Sequence, residues 1–270
     1  YYGSASPGES MGPKKWSMVT WLIVINAVIF VCGGILEGAQ RGGFSFYAFG
    51  NFNVPEAINQ LQLWRFITYQ FLHAGLFHIL FNMIALYFFG PLIENWLGSR
   101  RFLAFYLLCG SSGAYLYTLL HYTTLLPNPG APMVGASGSV YGVLIGCAVL
   151  FPNLRVMLLF PPIPIAIRTL ASIFIGLAIF SILVGSRNAG GEAAHLGGAI
   201  LGYFLIKRPD MLNFADASGS RPGGFGGGGK DKGGPTMKQK FQQNMDQRRR
   251  RMKQKQNEQV DQILDKIRRK

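Results

Sequence analysis

Residues 133–152 read MVGASGSVYGVLIGCAVLFP and residues 191–207 read GEAAHLGGAILGYFLIK. Both stretches are apolar enough for membrane helices, and each carries a glycine stripe: Gly138, Gly142 and Gly146 in the first, Gly198 and Gly202 in the second. Small residues four apart let two helices in lipid approach backbone to backbone. If the stripes face each other, Ser137 and His195 meet above the contact. Ser137 precedes Pro152 by 15 residues and His195 precedes Lys207 by 12, which at about 1.5 Å per residue puts them roughly 22 Å and 18 Å from the same face. Both then lie some 10 Å inside a hydrocarbon core about 30 Å thick, so water must reach them through a cavity.

The rest of the chain fits this setting. Of 270 residues, 49% are hydrophobic and only 14% charged, with mean hydropathy +0.24, whereas soluble domains carry about 25% charged residues. An ordinary aqueous domain and disorder of the whole chain are both excluded. Stretches long enough to cross the bilayer fall at 17–36, 76–97, 102–121, 137–152, 166–185 and 192–207, the fourth and sixth short. The expected fold class is an all-α membrane bundle of six transmembrane helices. Lys14, Lys15, Arg100, Arg101, Arg155, Arg168, Lys207 and Arg208 fall on one side, against Arg41, Arg65 and Arg187 on the other. That asymmetry places both termini in the cytoplasm. A bacterial inner membrane is the expected location, and no removable signal peptide is indicated at the N-terminus.

Four segments follow: a cytoplasmic stretch over 1–16, the membrane domain over 17–208, a Gly-rich linker over 209–235 and a basic tail over 236–270. Residues 1–208 hold 11 Lys/Arg against 5 Asp/Glu, and 209–270 hold 15 against 7, so more than half of the net charge of +14 sits in the last quarter. Val260, Ile263, Leu264 and Ile267 repeat as an amphipathic helix would. Such a tail is suited to anionic lipids of the cytoplasmic leaflet, and nucleic acid ranks last as a partner because no stacking platform accompanies the charge. The loop over 37–75 is aromatic and poorly charged, as expected of a loop lying in the bilayer interface. Cys32, Cys109 and Cys147 lie in apolar runs and are read as small packed hydrophobes.

Polar side chains in lipid are costly, which makes those present candidates for function. A neutral imidazole at His195 can take the Ser137 proton as general base and return it to a leaving amine. Tyr141, one turn beyond Ser137, is placed to pack on that ring. The oxyanion needs donors: free backbone N–H groups of Ala136, Ser137 and Gly138 at a helix start, and the side chains of His78 and Asn82, which share a helix face at i and i+4. His73 is read as either a structural hydrogen-bond partner or a water-access residue, and His121 as a surface histidine. Glu192, three residues before His195, is read as a dipole partner in a first helical turn, so no third member is assigned to the pair. Trp64 and Arg65 brace the long loop through cation and aromatic contacts, Glu94 accepts hydrogen bonds that brace a loop, and Gly90-Pro91 bends the second span. No metal and no cofactor are expected.

With Trp64-Arg65, His73, His78 and Asn82 as HxxxxHxxxN, Gly135 to Gly138 as GxSG followed by Tyr141, and Ala194, His195, Gly198 and Gly202 as AHxxGxxxG, the sequence resembles the rhomboid family of intramembrane serine proteases over about 190 residues. The resemblance implies a Ser137/His195 catalytic dyad, with His78, Asn82 and the Ser137 backbone at the oxyanion. It implies that span five is a side entrance and that the loop from Gly185 to Gly191 caps an aqueous cavity, Gly190 and Gly191 suiting a mobile lid. Family members cleave membrane-anchored proteins in or near a transmembrane helix. Two rival classes remain: a non-catalytic rhomboid-like binder of client helices, disfavoured by the costly buried pair, and a transporter, which should show paired discontinuous helices that this sequence lacks.

Overall fold

An apolar stretch with no water around it must satisfy its backbone polar groups internally, and this chain does so as helices. The computed structural model describes residues 16–39, 45–123, 131–158, 162–186, 188–216 and 254. Its helices are α1 (Met18–Ala39), α2 (Phe46–Gly50), α3 (Arg65–Thr68), α4 (Leu76–Leu97), α5 (Ser99–Tyr122), α6 (Ser137–Leu150), α7 (Ile167–Leu183) and α8 (Ala189–Lys207). Among the described residues three stretches are long and apolar enough to cross a membrane, Met18–Ile35, Leu76–Leu97 and Ser99–Tyr122; Ser137–Leu150 and Ile167–Leu183 are shorter apolar helices. The last helix starts at Ala189, three residues before the expected 192. Between α6 and α7 a short antiparallel pair, β1 (Arg155–Met157) with β2 (Pro164–Ala166), makes the turn.

The apolar surface points both ways, as lipid requires. Ile25, Val28, Val31 and Ile35 of α1 face outward, while Asn26 is fully buried and donates to the Leu22 carbonyl at 2.8 Å. Cys109 and Cys147 are buried as expected, but Cys32 is exposed on α1. The core is built around α5, whose Phe102, Phe105, Tyr106 and Cys109 pack with Leu86 and Ile93 of α4, Val143 of α6 and Leu205 and Ile206 of α8. Glu94, buried near the end of α4, accepts from the backbone N–H groups of Met18 (2.7 Å) and Val19 (2.9 Å) and from Ser99 Oγ (2.6 Å). It therefore caps the start of α1 and latches it to α4, with charge-assisted bonds worth about 1.5–3 kcal/mol each. The helix α4 continues through Gly90-Pro91, and Gly90 serves the same docking: a Cβ there would lie 2.7 Å from Val19 Cγ2.

The loop between α1 and α4 is held by polar contacts to backbone. Arg65 pairs with Glu56 (2.6 Å), donates to Gln62 Oε1 (2.7 Å) and reaches the carbonyls of Ala48 (2.8 Å) and Asn51. Trp64 stacks on Phe49, 5.4 Å between ring centres, and donates to its carbonyl. The expected cation and aromatic brace is thus two separate devices, because the guanidinium finds carbonyls that a ring cannot satisfy. Tyr69 and Gln70 tie the loop to α5 and α6: the Tyr69 hydroxyl donates to Gly110 O at 2.7 Å, and buried Gln70 donates to Leu107 O of α5 and accepts from Ser139 Oγ of α6.

The chain divides into Tyr1–Ser218 and Gly219–Lys270. Most of the Gly-rich linker and the amphipathic stripe from Val260 to Ile267 lie outside the described residues. Residues 209–216, set in the linker by the sequence boundaries, are ordered: Pro209–Ala215 form 3-10 turns with Leu212 buried, and Arg101 Nε donates to Asp216 at 2.9 Å.

Candidate active site

Glycine contacts set the distance between α6 and α8. A Cβ built on Gly198 would lie 1.9 Å from Gly138 O, and one on Gly202 would lie 2.6 Å from Gly142 Cα. The two expected stripes therefore face each other at backbone contact. The other side of α8 uses Gly197 in the same way against α5, where its Cβ would meet Ser112 O at 2.5 Å, and Ser112 Oγ donates to Gly197 O at 2.8 Å. Wedged between two helices, α8 has no freedom to slide its histidine.

That wedge brings His195 Nε2 to 2.8 Å from Ser137 Oγ. Ser137 is the first residue of α6 and Ala136 holds the cap position, so the Ser137 hydroxyl is not used as a helix cap. The approach to it is fixed from the long loop: Phe52 and Met133 exchange backbone hydrogen bonds of 2.9 and 2.7 Å, and Gly135 N donates to Tyr69 O at 2.9 Å. Gly135 has φ +128°, a conformation that favours glycine. A Cβ there would also strike the His78 ring, 2.7 Å from Nε2. Tyr141 stacks on His195 with ring centres 4.2 Å apart and 9° between planes, and Phe174 of α7 meets Tyr141 edge-on.

His78, Asn82, Ser137, Tyr141 and His195 line one cavity of about 540 Å³, walled by α4, α6, α7 and α8 and including Leu170 and Phe174 of α7. Asn82 donates to the backbone carbonyl of His78 at 2.9 Å, not to its ring. The His78 ring, whose Nδ1 accepts from the Ala74 N–H at 3.5 Å, and the Asn82 side chain both line the cavity. Ala136 and Gly138 flank Ser137 at the helix start, where the first N–H groups of a helix have no intrahelical acceptor.

Four expectations change or narrow. Glu192 is more than a dipole partner: its Oε2 lies 2.8 Å from His195 Nδ1, and its Oε1 accepts from Asn188 Nδ2 at 3.1 Å. The sequence signal was the i, i+3 spacing, which puts both side chains on one helix face. His73, read as either a structural hydrogen-bond partner or a water-access residue, has no hydrogen-bond partner of good geometry at either nitrogen; the ring is buried and sits edge-on to His78 with centres 5.1 Å apart. Burial and the neighbouring His78 hold its pKa down at about 4, against a weaker upward pull from the Phe71 backbone. Gly190 and Gly191 belong to the first turn of α8, where a Cβ would strike the Tyr117 ring (2.4 Å) and the Asn188 side chain (2.5 Å), so close packing explains these glycines and a hinge does not. His121, expected at the surface, is half-buried against Tyr122.

Known proteins are similar to this chain over much of its length. The Rhomboid domain family model matches residues 60–207. "Presenilin-associated rhomboid-like protein A, mitochondrial" of Danio rerio is 29% identical over 238 residues, 82% of this chain and 58% of that protein. "RHOMBOID-like protein 12, mitochondrial" of Arabidopsis thaliana is 31% identical over 209 residues, 71% of this chain and 60% of its own length. "Rhomboid protease GluP" of Bacillus subtilis (strain 168) is 32% identical over 186 residues, 68% of this chain and 33% of that protein. The chain thus spans from a third to three fifths of these relatives' lengths. The apolar helices and the family match support an integral membrane protein, and relatives named mitochondrial beside bacterial ones give no support to a bacterial inner membrane in particular. With the family domain matched over more than half of its length, this chain belongs to the rhomboid family.

Proposed function

We propose that the chain is an intramembrane serine endopeptidase that hydrolyses peptide bonds of membrane-anchored proteins in or near their transmembrane helices, on a frame of six spans with both termini cytoplasmic. The observation that carries the reading is the 2.8 Å contact between Ser137 Oγ and His195 Nε2 at the floor of a cavity within the helix bundle. A hydroxyl and an imidazole held together in lipid are costly unless used.

In this reading Ser137 Oγ attacks the scissile carbonyl carbon while its proton passes to His195 Nε2. Negative charge develops on the carbonyl oxygen, and the His78 ring, the Asn82 amide and the N–H groups at the start of α6 are the donors available to it. Collapse breaks the C–N bond, and the leaving amine takes the proton from His195. Water then repeats the sequence on the acyl-enzyme and frees Ser137. Tyr141 keeps the imidazole from turning away between steps. A substrate helix enters between α4 and α7, where the cavity wall is made of Phe77, Phe81, Leu170 and Phe174.

The test is cleavage of a membrane-anchored reporter by the purified, reconstituted protein, alongside labelling by a fluorophosphonate. Ser137→Ala and His195→Ala are expected to fold as wild type and to lose cleavage below detection. Cleavage by Ser137→Ala at the wild-type rate overturns the assignment. Absence of a Ser137 adduct in wild type favours the non-catalytic binder of client helices.

A further inference from the structure

We infer that Glu192 is a positioning residue for His195, so that the reacting group is a three-membered Ser137–His195–Glu192 relay held by Asn188; this rests on the hydrolase reading above. The geometry is continuous. Ser137 Oγ to His195 Nε2 is 2.8 Å, His195 Nδ1 to Glu192 Oε2 is 2.8 Å, and Glu192 Oε1 accepts from Asn188 Nδ2 at 3.1 Å. Both carboxylate oxygens are engaged, one by the ring and one by the amide that fixes the carboxylate plane. Gly191 is part of the same device, because any side chain there would push into Asn188.

The chemistry follows from what a carboxylate can do. It only accepts hydrogen bonds, so its contact with Nδ1 places the ring proton on Nδ1 and leaves the Nε2 lone pair facing Ser137. Without Glu192 the other tautomer, which cannot accept the serine proton, becomes available. When His195 takes up that proton, the positive ring faces a negative group 2.8 Å away. With side chains 15% and 19% exposed, the pair is poorly screened by solvent. The other titratable groups facing His195 are Tyr141, stacked on it from α6, and His78, across the cavity on α4; neither contacts Nδ1.

A simple helix-dipole role for Glu192 predicts a different outcome, which makes the test decisive. Fluorophosphonate labelling of Ser137 is followed against pH for wild type, Glu192→Gln, Glu192→Ala and Asn188→Ala in reconstituted protein, with the tautomer of His195 read by side-chain 15N NMR. Glu192→Gln is expected to slow labelling about tenfold and to move the acidic limb of the profile down by about one pH unit, as loss of an adjacent opposite charge does. Glu192→Ala is expected to slow it about 10²-fold or more and to replace the single Nδ1-protonated form by a mixture. Asn188→Ala, which leaves the carboxylate present but unheld, is expected to fall between wild type and Glu192→Gln. If Glu192→Ala does not fold, the isosteric Gln variant and Asn188→Ala still decide. Rates within twofold of wild type, an unmoved limb and an unchanged tautomer, with only thermal stability reduced, overturn the proposal alone. No labelling of wild type at Ser137 overturns the hydrolase reading and this inference with it.

Discussion

His73 shows how a residue type can leave two uses open that only the packing around it narrows. It lies beside His78, outside the helix proper, buried and without a hydrogen bond of good geometry. Its pKa in the folded protein is about 4, below the ordinary 6.5. As pH falls, the unfolded chain therefore takes up a proton first, and the folded state loses stability from about pH 6.5 until about pH 4, where the effect levels off. The loss integrates to roughly 3 kcal/mol at most. Thermal midpoints of His73→Phe are expected to lack this part of the pH slope, and an identical slope in wild type and variant would show that the titrating group is elsewhere. Glu192 is the opposite case. Its spacing to His195 was visible, but a first-turn glutamate is so commonly a dipole partner that only the position of the ring could decide between the two uses.

At the scale of elements, α6 and α8 depend on hydrogen atoms where other helices carry side chains. Gly198→Ala puts a Cβ 1.9 Å from the Gly138 carbonyl, so the helices must separate, and a shift of an ångström is enough to break the 2.8 Å contact between Ser137 and His195. The expected result is a stability loss of about 3 kcal/mol or more together with loss of fluorophosphonate labelling. Gly176 on the outer face of α7 is the control, since nothing lies within 4 Å of a Cβ there. Gly176→Ala is expected to be neutral or to stabilise by roughly 0.5–1 kcal/mol, with labelling retained. Equal damage from both substitutions in a thermal and labelling series would mean that the contact between α6 and α8 does not govern these glycines, since helix propensity favours alanine at both positions. The facing stripes were legible because small residues four apart have few other uses in lipid. The contact of Gly197 with α5 was not, because a lone glycine beside Gly198 has no period of its own to announce it.

For the whole molecule the governing asymmetry is charge. On the proposed six-span frame eight Lys/Arg fall on one side and three on the other, and reporters fused at the two ends are expected to lie on the same, cytoplasmic face of sealed vesicles. Reporters on opposite faces, read by protease protection, would remove the even-span topology. The sequence by itself determined the helical class, the bounds of the long helices to within a few residues, the facing glycine stripes and the meeting of Ser137 with His195, because lipid leaves backbone and polar groups few permitted arrangements. Only the tertiary structure decided which partners the remaining polar groups chose: Glu192 for His195, backbone N–H groups of α1 for Glu94, carbonyls and Glu56 for Arg65. Hydrogen bonds reach a few ångströms and depend on angle, so they are settled by where packed helices bring side chains, and no periodicity in the chain records that.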